Sequence, residues 1–322
     1  MRAMPAFRFD AFVAAALFPR EGAAFALGDG AVRWEDGAVV EAHDGPVLCA
    51  AVHPSGEGVL TGGDDGRLVW SRPSGATELL DLRGKWIDAV AVAPEGGLIA
   101  VAAGREVRVL DPAEPGWSRS FTHERAVADV AFDPKGKRLA AATYGGVALR
   151  YARVAEQKPQ MLKWPGAHLS VAWSPDGKYV LTALQENQLH GWRLSDAKDM
   201  RMAGYPAKVR SLAWLGKGAL MASSGAPGAV VWPFAGANGP MGKDAVEIGF
   251  KEESLVTRVA GAGFRLVAGR DDGEVWSADL QSSARETLRE ARGAAVSALA
   301  VSPDGTRFAW GDEAGAAGVE SL

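Results

Sequence analysis

The sequence predicts an all-β chain built from copies of one short element, and three observations predict it. A proline recurs at Pro19, Pro54, Pro94, Pro134, Pro175 and Pro303, at a spacing of about 40 residues or a multiple of it, which is the length of a four-stranded repeat. Around each proline, apolar residues alternate or run together for about four to six residues between Gly, Pro, Asp or Asn, which are strand lengths and strand boundaries. No window sustains a long helical periodicity.

The clearest repeat begins at His43. An apolar run starts at Val47, Pro54 to Gly56 turn the chain, and a second run ends at Thr61. Asp65-Gly66 then leads into a third run that closes on Trp70. Asp-Gly between two such runs is a strong hairpin signal, and both turn residues are expected to tolerate positive φ. Repeats start near 11, 43, 83, 123, 164, 205, 252 and 292. Those at 205 and 252 are degenerate, with Leu212-Ala213-Trp214 and Val259-Ala260-Gly261 where the first strand should end. The repeat at 123 shows its three runs as Val127 to Phe132, Arg138 to Thr143 and Val147 to Tyr151. Weaker segments such as Thr77 to Leu82 and Trp117 to Phe121 are read as fourth, outer strands.

One repeat cannot bury its own faces, so neighbours must stack on it, and closing the row into a ring removes exposed sheet edges. The expectation is a single closed β-propeller over 1–322 with about eight four-stranded blades, or seven if one degenerate repeat is an insertion. The last repeat offers only three strands, the third at Gly315 to Ser321. Residues 1–10 hold an orphan extended segment, Ala3 to Phe9, with Phe7 and Phe9 on one face. This segment is expected to complete the last blade.

Composition narrows the function. Hydrophobic residues make up 48% and charged residues 23% of the 322 residues, which is ordinary for a globular protein. A formal net charge of −4 lacks the basic excess of a nucleic-acid binder. One cysteine, Cys49, excludes an intramolecular disulfide and a cysteine metal cluster, and its apolar setting predicts a buried, inert thiol. Asp10 interrupts the apolar N-terminal run, which reads as a folded strand rather than a signal peptide. No stretch reaches the length of a membrane-spanning helix, so a cytoplasmic protein with no membrane contact is expected.

Ser174-Pro175-Asp176-Gly177 and Ser302-Pro303-Asp304-Gly305 resemble the central motif of the WD-repeat β-propeller family. Asp133-Pro134-Lys135-Gly136 and His53-Pro54-Ser55-Gly56 match it in part. His43 and His123 stand 11 residues before their prolines, Asp65 and Asp272 precede tight-turn glycines, and Leu110-Asp111 holds the Trp-Asp position. The resemblance implies a buried tetrad of histidine, strand Ser or Thr, turn aspartate and tryptophan. His43, Thr61 and Asp65 fit it, although Ser71 holds the tryptophan position and Trp70 comes one place early. The repeat at His123 offers Thr143 but no turn aspartate, and Arg8, Arg83 and Arg292 replace the histidine elsewhere. The resemblance further implies a non-enzymatic scaffold, a monomeric propeller within a complex, that holds protein partners on its ring face.

Little in the sequence suggests catalysis. Histidines 43, 53, 123, 168 and 190 never pair at metal-ligand spacing, and no cofactor is expected. Turn chemistry accounts for Asp64-Asp65 and Asp271-Asp272. There is no nucleophile elbow and no phosphate loop; Ser223-Ser224-Gly225 is a strand end. Trp34, Trp70, Trp192 and Trp232 read as packing residues. The alternatives to a scaffold are a propeller hydrolase or oxidoreductase with a site in the central channel, or a structural subunit of a larger complex. Where first strands begin, most repeats carry small residues: Ala11, Pro46, Ala126, Ala167 and Ala295. Larger ones stand near this point at Lys85, Trp86, Asp88, Arg125, Asp129, Lys208, Arg210 and Arg258. Exposed Trp and Arg are enriched at binding hot spots, so these eight are the expected partner-binding residues.

Overall fold

Strand after strand folds back on its predecessor through a short turn. The computed structural model describes residues 6–322 and shows thirty strands and a single 3-10 turn at Gly216–Gly218. The architecture is that of an all-β propeller. Its strands form seven antiparallel sheets, six of four strands and one of six. The repeat around His43 is typical, with strands Val47–Val52, Val59–Gly63, Arg67–Arg72 and Gly75–Asp81 in sequence order.

Burial grades across each sheet, which explains which strands the sequence reveals. The second strands Val59–Gly63, Ile99–Ala103 and Tyr179–Leu184 are buried throughout, so both faces must be apolar and the run is continuous. The fourth strand Gly75–Asp81 is mostly exposed and carries little pattern. Turns after the first strands share one geometry. The amides of Gly56, Gly136, Gly177 and Gly305 each donate at 2.8 Å to the carbonyl three residues earlier. In the Ser-Pro-Asp-Gly forms the serine also works: Ser174 Oγ donates to Asp176 at 2.7 Å and accepts the Tyr179 amide at 2.9 Å.

The expectation of eight blades is corrected to seven sheets. The repeats at 123 and 164 share the six-stranded sheet because two strands run on through the places where they should break. Arg138–Tyr151 and Gln160–Trp173 are each continuous, and Tyr144 pairs with Ala167, Gly146 with Lys163. No Asp-Gly turn interrupts the first of these strands. Gly146 instead adopts φ +142, and a Cβ there would meet the Leu162 carbonyl oxygen at 2.1 Å, so this crossing requires glycine.

The chain divides into two compact units. One holds the described residues up to Phe18, Gly22–Leu27 and Gly204–Leu322; the other holds Pro19–Glu21 and Gly28–Ala203. In the first unit, Ala6–Arg8 pairs antiparallel with Ala316–Ser321 and supplies the fourth strand of the last sheet. The N-terminal segment thus completes that blade as expected, while Ala3 to Pro5 lie outside the described residues. Phe7 and Phe9 stack with ring centroids 6.0 Å apart, and both pack 5.7 Å from Phe25.

Consecutive repeats are also stitched by side chains near the start of their first strands. In the first unit, Ser211 Oγ accepts the Val259 amide at 2.8 Å, Thr257 donates to the Val296 carbonyl at 2.7 Å, and Ser297 donates to the Val13 carbonyl at 2.7 Å. In the second, Asp129 accepts the Val171 amide at 2.8 Å, and the Cys49 thiol donates to the Ile87 carbonyl at 3.3 Å. Burial raises the Cys49 pKa well above the ordinary thiol range, which agrees with an inert thiol.

Candidate binding surfaces and the histidine positions

Both ring nitrogens of His43 are hydrogen-bonded. Its Nδ1 lies 3.0 Å from Asp65 Oδ1 and its Nε2 2.8 Å from Thr61 Oγ1. Asp65 also accepts the Arg67 amide at 3.0 Å and the Arg67 guanidinium at 2.8 Å. Burial opposes ionisation of Asp65, but these bonds from Arg67 and His43 outweigh it and bring its pKa to about 2. The turn between them differs from expectation in one respect: only Gly66, at φ +83, is left-handed, and Asp65 is not. Gly63 makes room for the imidazole, since a Cβ there would meet His43 Nδ1 at 2.5 Å. Trp70, one place off the tetrad, stacks on His53 at 3.9 Å and donates to the Glu57 carbonyl at 2.8 Å.

The repeat at His123 is built otherwise, and strand register shows why. Val47 pairs with Gly63 and Ala50 with Thr61. Val127 pairs with Thr143 and Val130 with Ala141. Thr143 therefore occupies the place of Gly63, not of Thr61, and Ala141 stands where the hydroxyl should be. Thr143 Oγ1 bonds the Gly146 carbonyl at 3.1 Å instead. His123, 9% exposed, keeps a buried Nε2 with no partner. Burial, with the Arg150 charge adding to it, pushes the His123 pKa down to about 4.

A third version lies in the degenerate repeat at 205, which has neither the histidine nor the turn proline of the repeat at 43. Tyr205 precedes Leu212 by the interval that separates His43 from Ala50, and Leu212 pairs with Ser223. Its hydroxyl bonds Ser223 Oγ at 2.7 Å and accepts the Trp232 Nε1 hydrogen at 2.7 Å. Ser223 pairs with Val230 as Thr61 pairs with Val69, so Trp232 holds the tetrad's tryptophan position. Tyrosine thus replaces histidine in a polar set that keeps the strand serine and the tryptophan but has no turn aspartate.

The eight expected partner-binding residues fall in both units. In the second unit Trp86 is 62% exposed, beside Lys85, which pairs with Glu106 at 2.9 Å. Bonds from Arg108, then Ser120 and Lys85, hold Glu106 at a pKa of about 2. Asp88 is exposed, as is Arg125. Asp129 is committed to the amides of Val130 and Val171, both at 2.8 Å, and burial nevertheless raises its pKa to about 6. In the first unit Lys208 and Arg210 are exposed. Arg210 and Arg258 line one cavity of about 400 Å³ with Phe12, Ser297 and Glu313. Burial, then the neighbouring Arg210 charge, lowers the Arg258 pKa to about 10. The structure thus brings Arg210 and Arg258 together, and sets Phe12, which the sequence did not single out, beside them at 44% exposure.

Residues 34–70 match the family model described as WD domain, G-beta repeat. This stretch is similar to a WD repeat, and it lies in a β-propeller architecture. The matched WD stretch ends at Trp70 and contains His43, Thr61 and Asp65, the polar set described above. The crystal structure of a computationally designed protein, Ika8, is similar over 98% of both chains, with a TM-score of 0.78 and 18% identity. At that identity the likeness is one of fold alone. No curated protein matches the sequence. Among the described residues no helix is long and apolar enough to cross a membrane, and no group of three or more His, Cys, Asp or Glu is placed to hold a metal ion.

Proposed function

We propose that the chain is a non-catalytic adaptor that holds a protein partner. The WD-repeat propeller is commonly a protein-interaction scaffold, and the observation that carries the reading here is the cavity of Arg210, Arg258 and Phe12. Two guanidiniums face one carboxylate, Glu313, at its wall. Such a site favours a carboxylate from an acidic segment, with an apolar side chain lying on Phe12. Desolvation of Arg258 strengthens any charge-assisted bond it makes. Trp86, exposed and two-ringed, offers a second anchor in the other unit.

Affinity purification of the tagged chain from its native cell, compared with Arg258→Ala and Trp86→Ala chains, tests the reading. The expected result is a stoichiometric protein whose recovery falls about tenfold or more in the variants, the loss that removing a hot spot gives. Equal recovery with three correctly folded chains sinks it.

A further inference from the structure

The vacated tetrad of the repeat at 123 opens into a cavity of about 550 Å³ within the second unit. His123, Arg125, Arg150, Lys158 and Lys163 line it, with Tyr144 at 66% exposure and Glu124 as the one carboxylate. Among the described residues none of Arg125, Lys158 and Lys163 has an ion-pair partner. Arg150 spends one bond on the Gln157 carbonyl at 3.2 Å and lies 4.9 Å from the Phe121 ring centroid, while its Nε is buried and unpartnered. His123 adds a second buried nitrogen without a partner. A buried donor left unbonded costs free energy that a ligand acceptor would recover. Four fixed cations against one carboxylate repel one another until an anion enters.

We propose that this cavity binds the phosphate group of a small molecule. Phosphate fits the donor set better than a single carboxylate does, because its three or four oxygens reach both Arg150 and the lysines together. The strands explain how the site arose. In the repeat at 43 the same region is filled by Asp65 and its bonds to His43 and Arg67. Here the turn aspartate is gone, Ala141 removes the hydroxyl, and the anion takes the place of the missing carboxylate.

Calorimetric titration of the full chain at low ionic strength, with pyrophosphate, inorganic phosphate and phenyl phosphate as probes, tests it. The expected result is saturable one-to-one binding that weakens about tenfold or more in Lys158→Gln/Lys163→Gln, the size of two lost charged bonds, and further in Arg150→Ala. Both lysines are exposed, so the double variant keeps its fold even if Arg150→Ala does not. Lys198→Gln, outside the cavity, leaves the titration unchanged. Tighter binding of phenyl phosphate than of phosphate identifies an ester, with its ring on Tyr144; the reverse order identifies a free phosphate or pyrophosphate, and either order supports the site. No heat of binding up to about 1 mM, the weak limit for a specific site, overturns it. So does affinity that the double lysine variant leaves intact.

Discussion

His43 and His123 occupy the same place in two repeats and live under opposite conditions. Around His43 both ring nitrogens have partners, Thr61 on one and Asp65 on the other with Arg67 behind it, and only Ser71 Oγ at the tryptophan position is buried without one. Around His123 the hydroxyl is an alanine, the aspartate turn is replaced by a continuing strand, and the ring faces a cavity rich in cations. The lesson is that a repeat position reports structure only when its partners are present. When they are lost while the histidine stays buried, the remaining polar atoms become a site.

The largest expected effect is on stability at the two rings. His43→Ala leaves a buried cavity and takes one partner each from Thr61 and Asp65, and should cost about 3 kcal/mol. His123→Ala breaks no bond of its ring and should cost about 1 kcal/mol. Urea midpoints at constant slope measure both; equal losses would erase the contrast. Tyr205→Phe comes next at about 2 kcal/mol, because it strands the Trp232 N–H and removes one of the two bonds of the Ser223 hydroxyl. A neutral result there would mean the tyrosine set is decorative.

Acid should separate the two repeats by pH window. The pKa of Asp65 is lowered from 3.8 to about 2 on folding. Its contribution, about 1–2 kcal/mol, is therefore present above pH 4 and is lost as pH falls through 2. His123 is lowered from 6.5 to about 4 by burial and the Arg150 charge, and His190 likewise to about 4, mainly by burial. The unfolded chain binds the extra protons between those values, so stability is full above pH 6.5 and falls as pH drops toward 4. His123→Gln should flatten the upper window and Asp65→Asn the lower one. Denaturation midpoints at stepped pH check this, and an unchanged upper window in His123→Gln contradicts it. The smallest effect is expected at Trp86→Ala, whose 62% exposure limits the stability change to about 0.5 kcal/mol. A larger loss would assign Trp86 to packing rather than binding.

The fold was legible because burial leaves marks. Second strands buried on both faces, as at Ile99–Ala103, must be apolar throughout, and turn glycines recur where the backbone demands them. The blade count was not legible, because Tyr144-Gly145-Gly146 reads as a turn and only register shows the strand passing through it. Thr143 was misplaced by two residues: Thr61 follows His43 by 18 positions and Thr143 follows His123 by 20, while the bulge in the first strand is common to both repeats. Of the expected binding residues, Arg210 and Arg258 converge on one cavity, whereas Asp129 turned to backbone amides. Arg150, Lys158 and Lys163 carry no periodic signal. They come together only because Arg138–Tyr151 and Gln160–Trp173 pair.

Imidazole NMR of the histidine-labelled chain during a pyrophosphate titration tests the contrast between the two rings most directly. The account predicts that the free chain shows His123 titrating near pH 4, and that pyrophosphate moves the His123 resonances and raises its pKa while those of His43 stay fixed. Resonances of His43 that move with the ligand, or a His123 that ignores it, would contradict the account.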